Sequence, residues 1–291
     1  MKKILITGGV AGGATAAARL RRLDENAEII LLERGEYISF ANCGLPYHIG
    51  GVIKNRDDLL VTTAEDFSAR YRIDIRPFNE VKAVFPSEKT VEILDVHSGK
   101  VYRETYDSLI LSPGAAPLKP AIDGIDDERI FTLRNIPDTD RIKQLVDSRN
   151  PQSAVVVGGG FIGLEMAENL AHRGIKITLV EMAAQVMAPL DFEMAHLVHT
   201  HLREKKVGLI LNSAVKRFIP QKDRVQVETS DGTVIDCDMV LFAAGVRPEN
   251  ELAQNAGLAL GDRGGIRVND ALQTSDPSIY AVGDAIETRD F

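Results

Sequence analysis

A lone thiol, two strand-terminal acids and two glycine-rich turns carry most of the chemistry this sequence could perform. The first turn is Gly8-Gly9-Val10-Ala11-Gly12-Gly13. It follows a β-branched and aliphatic run from Lys3 to Thr7 and precedes a segment of helical composition, Ala14 to Leu23. A second apolar run then closes at Glu33. Strand, glycine turn, helix and strand in this order make a dinucleotide-binding unit: the turn lets backbone approach a pyrophosphate, and the helix N-terminus stabilises its negative charge. Glu33 stands where a carboxylate accepts from ribose hydroxyls. Gly8 and Gly13 hold the outer positions of G-x-G-x-x-G, and Val10 holds the middle one.

The unit recurs in cleaner form. Ala154 to Val157 leads into Gly158-Gly159-Gly160-Phe161-Ile162-Gly163, a helix to about Arg173, and a strand from Lys176 to Glu181. One glycine turn can be an ordinary tight connection, but two, each followed by a strand-terminal acid, point to two nucleotide sites. A carboxylate at Glu181 pairs with free ribose hydroxyls and repels a 2′-phosphate, and no Arg or Lys follows it closely, so this site is expected to prefer NADH to NADPH.

The rest of the chain must position these groups. Its 291 residues, 44% apolar and 26% charged without low-complexity runs, suit a soluble globular chain of about two domains. A net charge of -8, with 34 scattered basic residues against 42 acidic ones, argues against nucleic-acid binding. The two cysteines, Cys43 and Cys237, fit neither a disulfide framework nor a metal-binding spacing, and suit a reducing cytoplasmic setting. Lys2-Lys3 and the Ala-rich stretch resemble a signal peptide, but the glycines break the helix a signal needs, and no apolar run reaches membrane-spanning length.

Val91 to Val96 and Lys100 to Tyr106 read as a hairpin around His97-Ser98-Gly99, as do Val225 to Thr229 and Thr233 to Asp236 around Asp231-Gly232. Two apolar runs end alike, at Ser112-Pro113-Gly114 and Ala243-Ala244-Gly245. Ile279 to Asp284 reads as a short strand that sets the carboxylate of Asp284 at a further helix N-terminus. His196, His199 and His201 share a helix without an acidic partner at metal spacing, and read as amphipathic helix surface and no metal site. Cys237, placed at the start of an apolar strand, reads as structural.

Taken together, these motifs resemble the pyridine nucleotide-disulfide oxidoreductases, in family order and over all 291 positions. The resemblance implies an α/β fold of two Rossmann-like dinucleotide-binding domains, with the NAD domain inserted in the FAD domain. Residues 1–115 and 265–291 would form the FAD-binding domain, 116–149 a connection and 150–264 the NAD(P)H-binding domain. It implies FAD contacts at Gly8, Val10, Ala11, Gly12, Gly13, Glu33, Arg34, Val81, Ser112, Gly114, Gly283 and Asp284, the last on the ribityl chain. It implies NADH contacts at Gly158, Gly160, Phe161, Ile162, Gly163, Glu165, Glu181 and Gly245, with Glu165 near the nicotinamide.

The subgroup rests on Ser39-Phe40-Ala41-Asn42-Cys43-Gly44-Leu45-Pro46-Tyr47. Members with a C-x-x-x-x-C pair carry a second thiol where this chain has His48. The S-F-x-x-C-x-x-P pattern resembles coenzyme A-disulfide reductases and their rhodanese-fused relatives acting on persulfides or polysulfides. Oxidase and peroxidase relatives, which use a cysteine sulfenic acid, look similar but usually lack the equivalent of Pro46. Cys43 would be the redox nucleophile, favoured as thiolate by the flavin and a helix start near Gly44, with a buried structural cysteine as the alternative. Substrate contacts are implied at Thr15, Arg19, Arg22, Ser39 and Asn42. The two arginines, three apart on one helix, suit coenzyme A phosphates or a solvated helix end.

Three functions stay open: an NADH-dependent reductase of coenzyme A disulfide, persulfide or polysulfide; an NADH oxidase or peroxidase; and a non-catalytic nucleotide-binding fragment. The family continues well beyond Asp284 into a dimer-forming domain, so a homodimer is expected of the full-length member. For this chain the expectation is a truncated product with weakened FAD retention and little turnover.

Overall fold

The structure is a computed structural model and describes residues 1–288. Packing divides the chain into two compact units, one of Met1–Phe40, Leu60–Ala116 and Arg247–Phe291, the other of Ala41–Leu59 and Pro117–Val246. The chain passes between the units four times, and short extended segments, β8 (Ala115–Pro117) and β17 (Val246–Pro248), mark the last two crossings.

In the first unit β1 (Lys3–Thr7), β2 (Glu28–Leu32), β3 (Asp74–Arg76), β7 (Ser108–Leu111) and β19 (Ile279–Ala281) form a parallel sheet in the order β19-β7-β1-β2-β3. The helix after the glycine turn, α1 (Ala11–Leu23), buries Gly13, Ala14, Ala17, Ala18 and Arg21, a stripe of helical period. Its alanines pack on Ile4 and Ile6, and α3 (Ala64–Tyr71), capped by Thr63, adds Phe67 to the same layer. The opposite sheet face, with Leu5, Leu32, Leu109 and Leu111, packs on Val81, Val84, Val91 and Ile93. These belong to a three-stranded antiparallel sheet of β4 (Asn79–Phe85), β5 (Thr90–Asp95) and β6 (Val101–Thr105). The expected hairpin is therefore present and gains a third strand. Val81 lies in this core, 8% exposed.

The second unit repeats the plan. Strands β9 (Ile130–Phe131), β10 (Ser153–Val157), β11 (Lys176–Val180), β12 (Gly208–Ile210) and β16 (Met239–Phe242) form a parallel sheet in the order β12-β11-β10-β16-β9. Helices α4 (Ile136–Arg149), α5 (Phe161–His172) and α6 (Phe192–Glu204) complete it. A second antiparallel sheet, β13 (Val215–Pro220), β14 (Val225–Thr229) and β15 (Val234–Cys237), packs Phe218, Val225 and Val227 on Val155 and Val157.

Packing redraws the expected bounds in three places. Residues 117–149, expected as a connection, join the second unit, where β9 extends the parallel sheet and α4 packs against α2 (Leu45–Ile49). Residues 41–59 join the second unit because α2 lies against α4 and α5. Residues 247–264 join the first because α7 (Glu251–Asn255) packs on β4. The helix expected at Gly283-Asp284 is a single 3-10 turn, Gly283–Ala285. It cannot continue, because β20 (Ile286–Glu287) runs extended and pairs with β18 (Ile266–Arg267). No helix of the described residues is long and apolar enough to cross a membrane.

Candidate functional site

The two glycine turns are built alike. Gly8 and Gly158 follow the central strands, and their N–H groups donate to Leu32 O and Val180 O, each at 2.8 Å. Both adopt positive φ, +87° and +107°, and an added Cβ would collide with Ser112 O or Ala243 O, the backbone of the neighbouring strand end. Only glycine satisfies both conditions. The next N–H, of Gly9 or Gly159, donates to the strand-terminal acid: Glu33 Oε2 at 2.8 Å and Glu181 Oε2 at 2.6 Å. The other carboxylate oxygen accepts from the residue two further on, Gly35 at 2.8 Å and Ala183 at 2.7 Å. A carboxylate has about four acceptor sites, so each acid keeps capacity for ribose hydroxyls.

The repeat extends to Ser39, expected only as a substrate contact, and to Met187, which no sequence motif singled out. The carbonyl of Gly9 accepts from Ser39 N at 3.0 Å, and that of Gly159 from Met187 N at 2.8 Å. Ser39 and Met187 each stand six residues after the acid in the left-handed region, at φ 46° and 52°. The residue before each, Ile38 or Val186, packs its side chain under Gly9 or Gly159. The equal offset from Glu33 and Glu181 was the signal that could have found them.

The turns differ at the middle glycine position. Val10 and Gly160, the N-cap residues of α1 and α5, both have negative φ, -86° and -79°, so a side chain is sterically allowed. Neither helix has a side-chain cap or an acid in its first turn, which leaves both N-termini suited to an anion. A Cβ at Gly160 would meet nothing within 4 Å, and Phe161 and Ile162 beside it are exposed, 65% and 37%. An open backbone flanked by bare apolar side chains fits a dinucleotide lying across it.

In the first unit β1, β7 and β19 run parallel, so their carboxyl ends come together. A Cβ on Gly12 would touch Ser112 Oγ and Val282, and Gly283, at φ 76°, lies beside Ser112. Exposed Asp284 follows. Gly114, at φ 77°, accepts from Glu249 N through its carbonyl. Arg34 pairs with Glu249, its Nη2 donating to both carboxylate oxygens at 2.8 and 3.0 Å. Ala11 is exposed and Gly13 buried. On α1, Thr15, Arg19 and Arg22 are all exposed and lie on one face at spacings of four and three.

In the second unit Gly163 is buried at the start of α5, and Gly245, at φ 124°, accepts from Leu118 N. Burial, and then the neighbouring Glu168 carboxylate, push the Glu165 carboxyl up from its ordinary value. Cys43 is exposed within a 3-10 turn, Asn42–Gly44, that leads into α2. Asn42 is exposed. The turn is held by Gly44 N on Ala41 O, 2.9 Å, and Ala41 N on Leu59 O, 2.8 Å. His48 is buried and its Nδ1 donates to Ile53 O at 2.9 Å. Arg173, the C-cap residue of α5, donates to Ile49 O at 3.2 Å and pairs with Asp147 at 2.7 Å, and Arg56 pairs with Asp140 at 2.8 Å. The Cys43 turn is thereby tied to α4 and α5.

Two expectations change in detail. His196 and His201 are exposed, but His199 is 2% exposed and is no part of a helix surface; it follows the buried stripe of Ala195 and Leu202. Cys237 ends β15 and does not begin a strand; it is 1% exposed, and burial pushes its thiol up to about 12.

The family model of pyridine nucleotide-disulphide oxidoreductases matches residues 2–290. A coenzyme A disulfide reductase of Staphylococcus haemolyticus is 37% identical over 286 residues, 98% of this chain and 63% of that protein. The solved structure of reduced CoADR-RHD from Bacillus anthracis is 56% identical with a TM-score of 0.96, covering 99% of this chain and 52% of that one. An NAD-dependent persulfide reductase from A. fulgidus is 38% identical with a TM-score of 0.94, covering 98% and 53%. The chain thus spans between about half and two thirds of the length of these relatives.

Proposed function

This chain belongs to the pyridine nucleotide-disulphide oxidoreductase family, and from that premise we propose that it passes two electrons from NADH, with FAD as the relay, through Cys43 to a coenzyme A disulfide or persulfide. The observation that carries this reading is an exposed thiol, Cys43, in a chain with two like-built glycine turns, each tied to a strand-terminal acid. The names of its relatives favour a coenzyme A sulfur species as acceptor.

The first cradle, with Gly8, Glu33, Ser112 and Asp284, would hold FAD; the second, with Gly158, Glu181 and the bare first turn of α5, would hold NADH. When bound, FAD supplies hydride acceptance and electron transfer to sulfur. Glu181 accepts from the adenosine ribose hydroxyls and repels a 2′-phosphate, which sets the preference for NADH. As thiolate, Cys43 attacks one sulfur of the disulfide; a new S–S bond joins it to one half and the other half leaves as thiolate. Two electrons and a proton then split the mixed disulfide, releasing the second thiol and restoring the Cys43 thiolate. Each turnover converts NADH, a proton and a disulfide to NAD⁺ and two thiols. The exposed face of Thr15, Arg19 and Arg22 would meet the coenzyme A phosphates. A cytoplasmic setting keeps Cys43 reduced, and a homodimer is the proposed state of the full-length member.

The test is anaerobic turnover of coenzyme A disulfide with NADH by the FAD-reconstituted chain. Two thiols released per NADH, and loss of release by at least about 10³-fold in C43S with NADH bleaching of the flavin band retained, are expected. Hydrogen peroxide or oxygen outcompeting the disulfide would replace this reading with the oxidase or peroxidase one.

A further inference from the structure

The buried histidine of α6 has a partner that links it to the second cradle. His199 Nε2 accepts from Val186 N at 3.1 Å, so the ring is neutral with its proton on Nδ1. Val186 is fully buried and its side chain packs under Gly159. The adjoining Met187 N–H holds Gly159 O at 2.8 Å, and Gly159 N–H holds Glu181 Oε2 at 2.6 Å. A continuous run of contacts therefore leads from the imidazole to the carboxylate: His199, Val186-Met187, Gly159, Glu181. The corresponding turn of the first unit places Ile38 and Ser39 the same way and shows no histidine in that role. Met187, unlike glycine or asparagine, gains nothing from the left-handed region it occupies. Something besides local propensity must hold the turn in place, and the acceptor at its centre is His199.

We propose that His199 is a positioning residue for the pyridine-nucleotide cradle: by accepting from Val186 N–H it fixes the 182–190 turn, and through it the Gly159 backbone and the Glu181 carboxylate that meet the adenosine ribose. The inference rests on the second unit's being the pyridine-nucleotide site. Protonation would remove the acceptor. Arg203 and His196 of its own helix face His199, while β12 and the turn 182–190 bring no titratable side chain. Burial, with these two neighbours, lowers its pKa from 6.5. The acceptor is therefore intact at and above pH 6.5 and is lost only as pH falls through the depressed value.

The experiment is calorimetric titration of the full chain with ADP-ribose, which contains the adenosine ribose and pyrophosphate but cannot be oxidised or reduced by the flavin. H199L is expected to raise Kd about tenfold, and H199Q, whose side-chain oxygen can still accept, to stay within about threefold of the parent. Parent Kd should be flat above pH 6.5 and rise below it, while H199Q stays flat in the same buffers. In NADH turnover H199L should raise KM and leave kcat within about twofold. A folded H199L that binds as tightly as the parent overturns the proposal, as does equal loss in H199L and H199Q. If H199L fails to fold, a parent pH profile identical to that of H199Q overturns it equally. Failure of the parent chain to bind ADP-ribose at any pH overturns the nucleotide reading itself, and this inference with it.

Discussion

The two cradles make the same backbone hydrogen bonds with different side chains. Each ties its second glycine N–H to an acid and its second glycine carbonyl to a left-handed residue six positions beyond that acid. They part at three successive positions, Val10 against Gly160, Ala11 against Phe161 and Gly12 against Ile162. Glycine is obligatory where the protein's own strand end closes on the turn, at Gly8 and Gly158. At the middle position the chain's own atoms leave room, and the side chain that fits there depends on what lies across it. In the first unit the demand for smallness moves to Gly12, which Ser112 and Val282 crowd.

The largest loss is expected at the glycine position that both turns share. Val at Gly8 or Gly158 would combine a left-handed backbone with a carbonyl collision, at 2.0 or 2.3 Å from an ideal Cβ. G8V is expected to purify colourless and to bind added FAD at least about 100-fold more weakly. G158V is expected to keep its flavin band and lose NADH bleaching. Visible spectra of the two variants decide it, and loss of flavin in both would show that the cradles are not separable.

The acids come next in size. E181A removes the acceptor of two backbone N–H groups as well as the proposed ribose partner. Anaerobic titration should show NADH affinity down about 10- to 100-fold, with a smaller fall for NADPH because the repulsion of its 2′-phosphate goes too. Equal losses for both nucleotides would remove Glu181 from the basis of selectivity. A weaker contrast is expected at the middle position: V10G within about threefold of the parent in FAD affinity, and G160V about tenfold weaker for NADH with an unchanged melting temperature. Similar effects of both would mean that the two turns hold their ligands alike after all.

What the sequence disclosed follows the same division. Strand, glycine turn and acid are contiguous and local, so both cradles were legible down to Glu33 and Glu181. The third strand of each antiparallel sheet was not, and for one reason: β4 shifts register between Val81 and Ala83, and β13 between Val215 and Arg217. A bulge interrupts the alternation by which a strand is recognised. Ser39 and Met187 carry no mark of their left-handed backbone, since neither is a glycine or asparagine. The packing of residues 41–59 against α4 and α5 draws on Arg173, which meets Ile49 O, and on Asp140, which pairs with Arg56, both far away in sequence. Position, partner and burial of His199 became visible only once α6 was set beside the turn it holds.

The smallest expected effect compares the two thiols. Cys43 is exposed on a 3-10 turn, whereas Cys237 is closed into the sheet with its Sγ 3.5 Å from Val225 O. With a thiol pushed up to about 12, Cys237 stays protonated throughout the working range, and burial denies access to a reagent as well. A disulfide reagent applied to the native chain should therefore modify Cys43 alone, and the count should not rise between pH 7 and pH 9. C237A should leave that labelling and NADH affinity unchanged and cost about 1–2 kcal/mol of stability, from one small buried apolar group. Labelling of Cys237 in the folded chain would mean that β14 and β15 open locally, and that the second unit's core is looser than its packing against Val155 and Val157 implies.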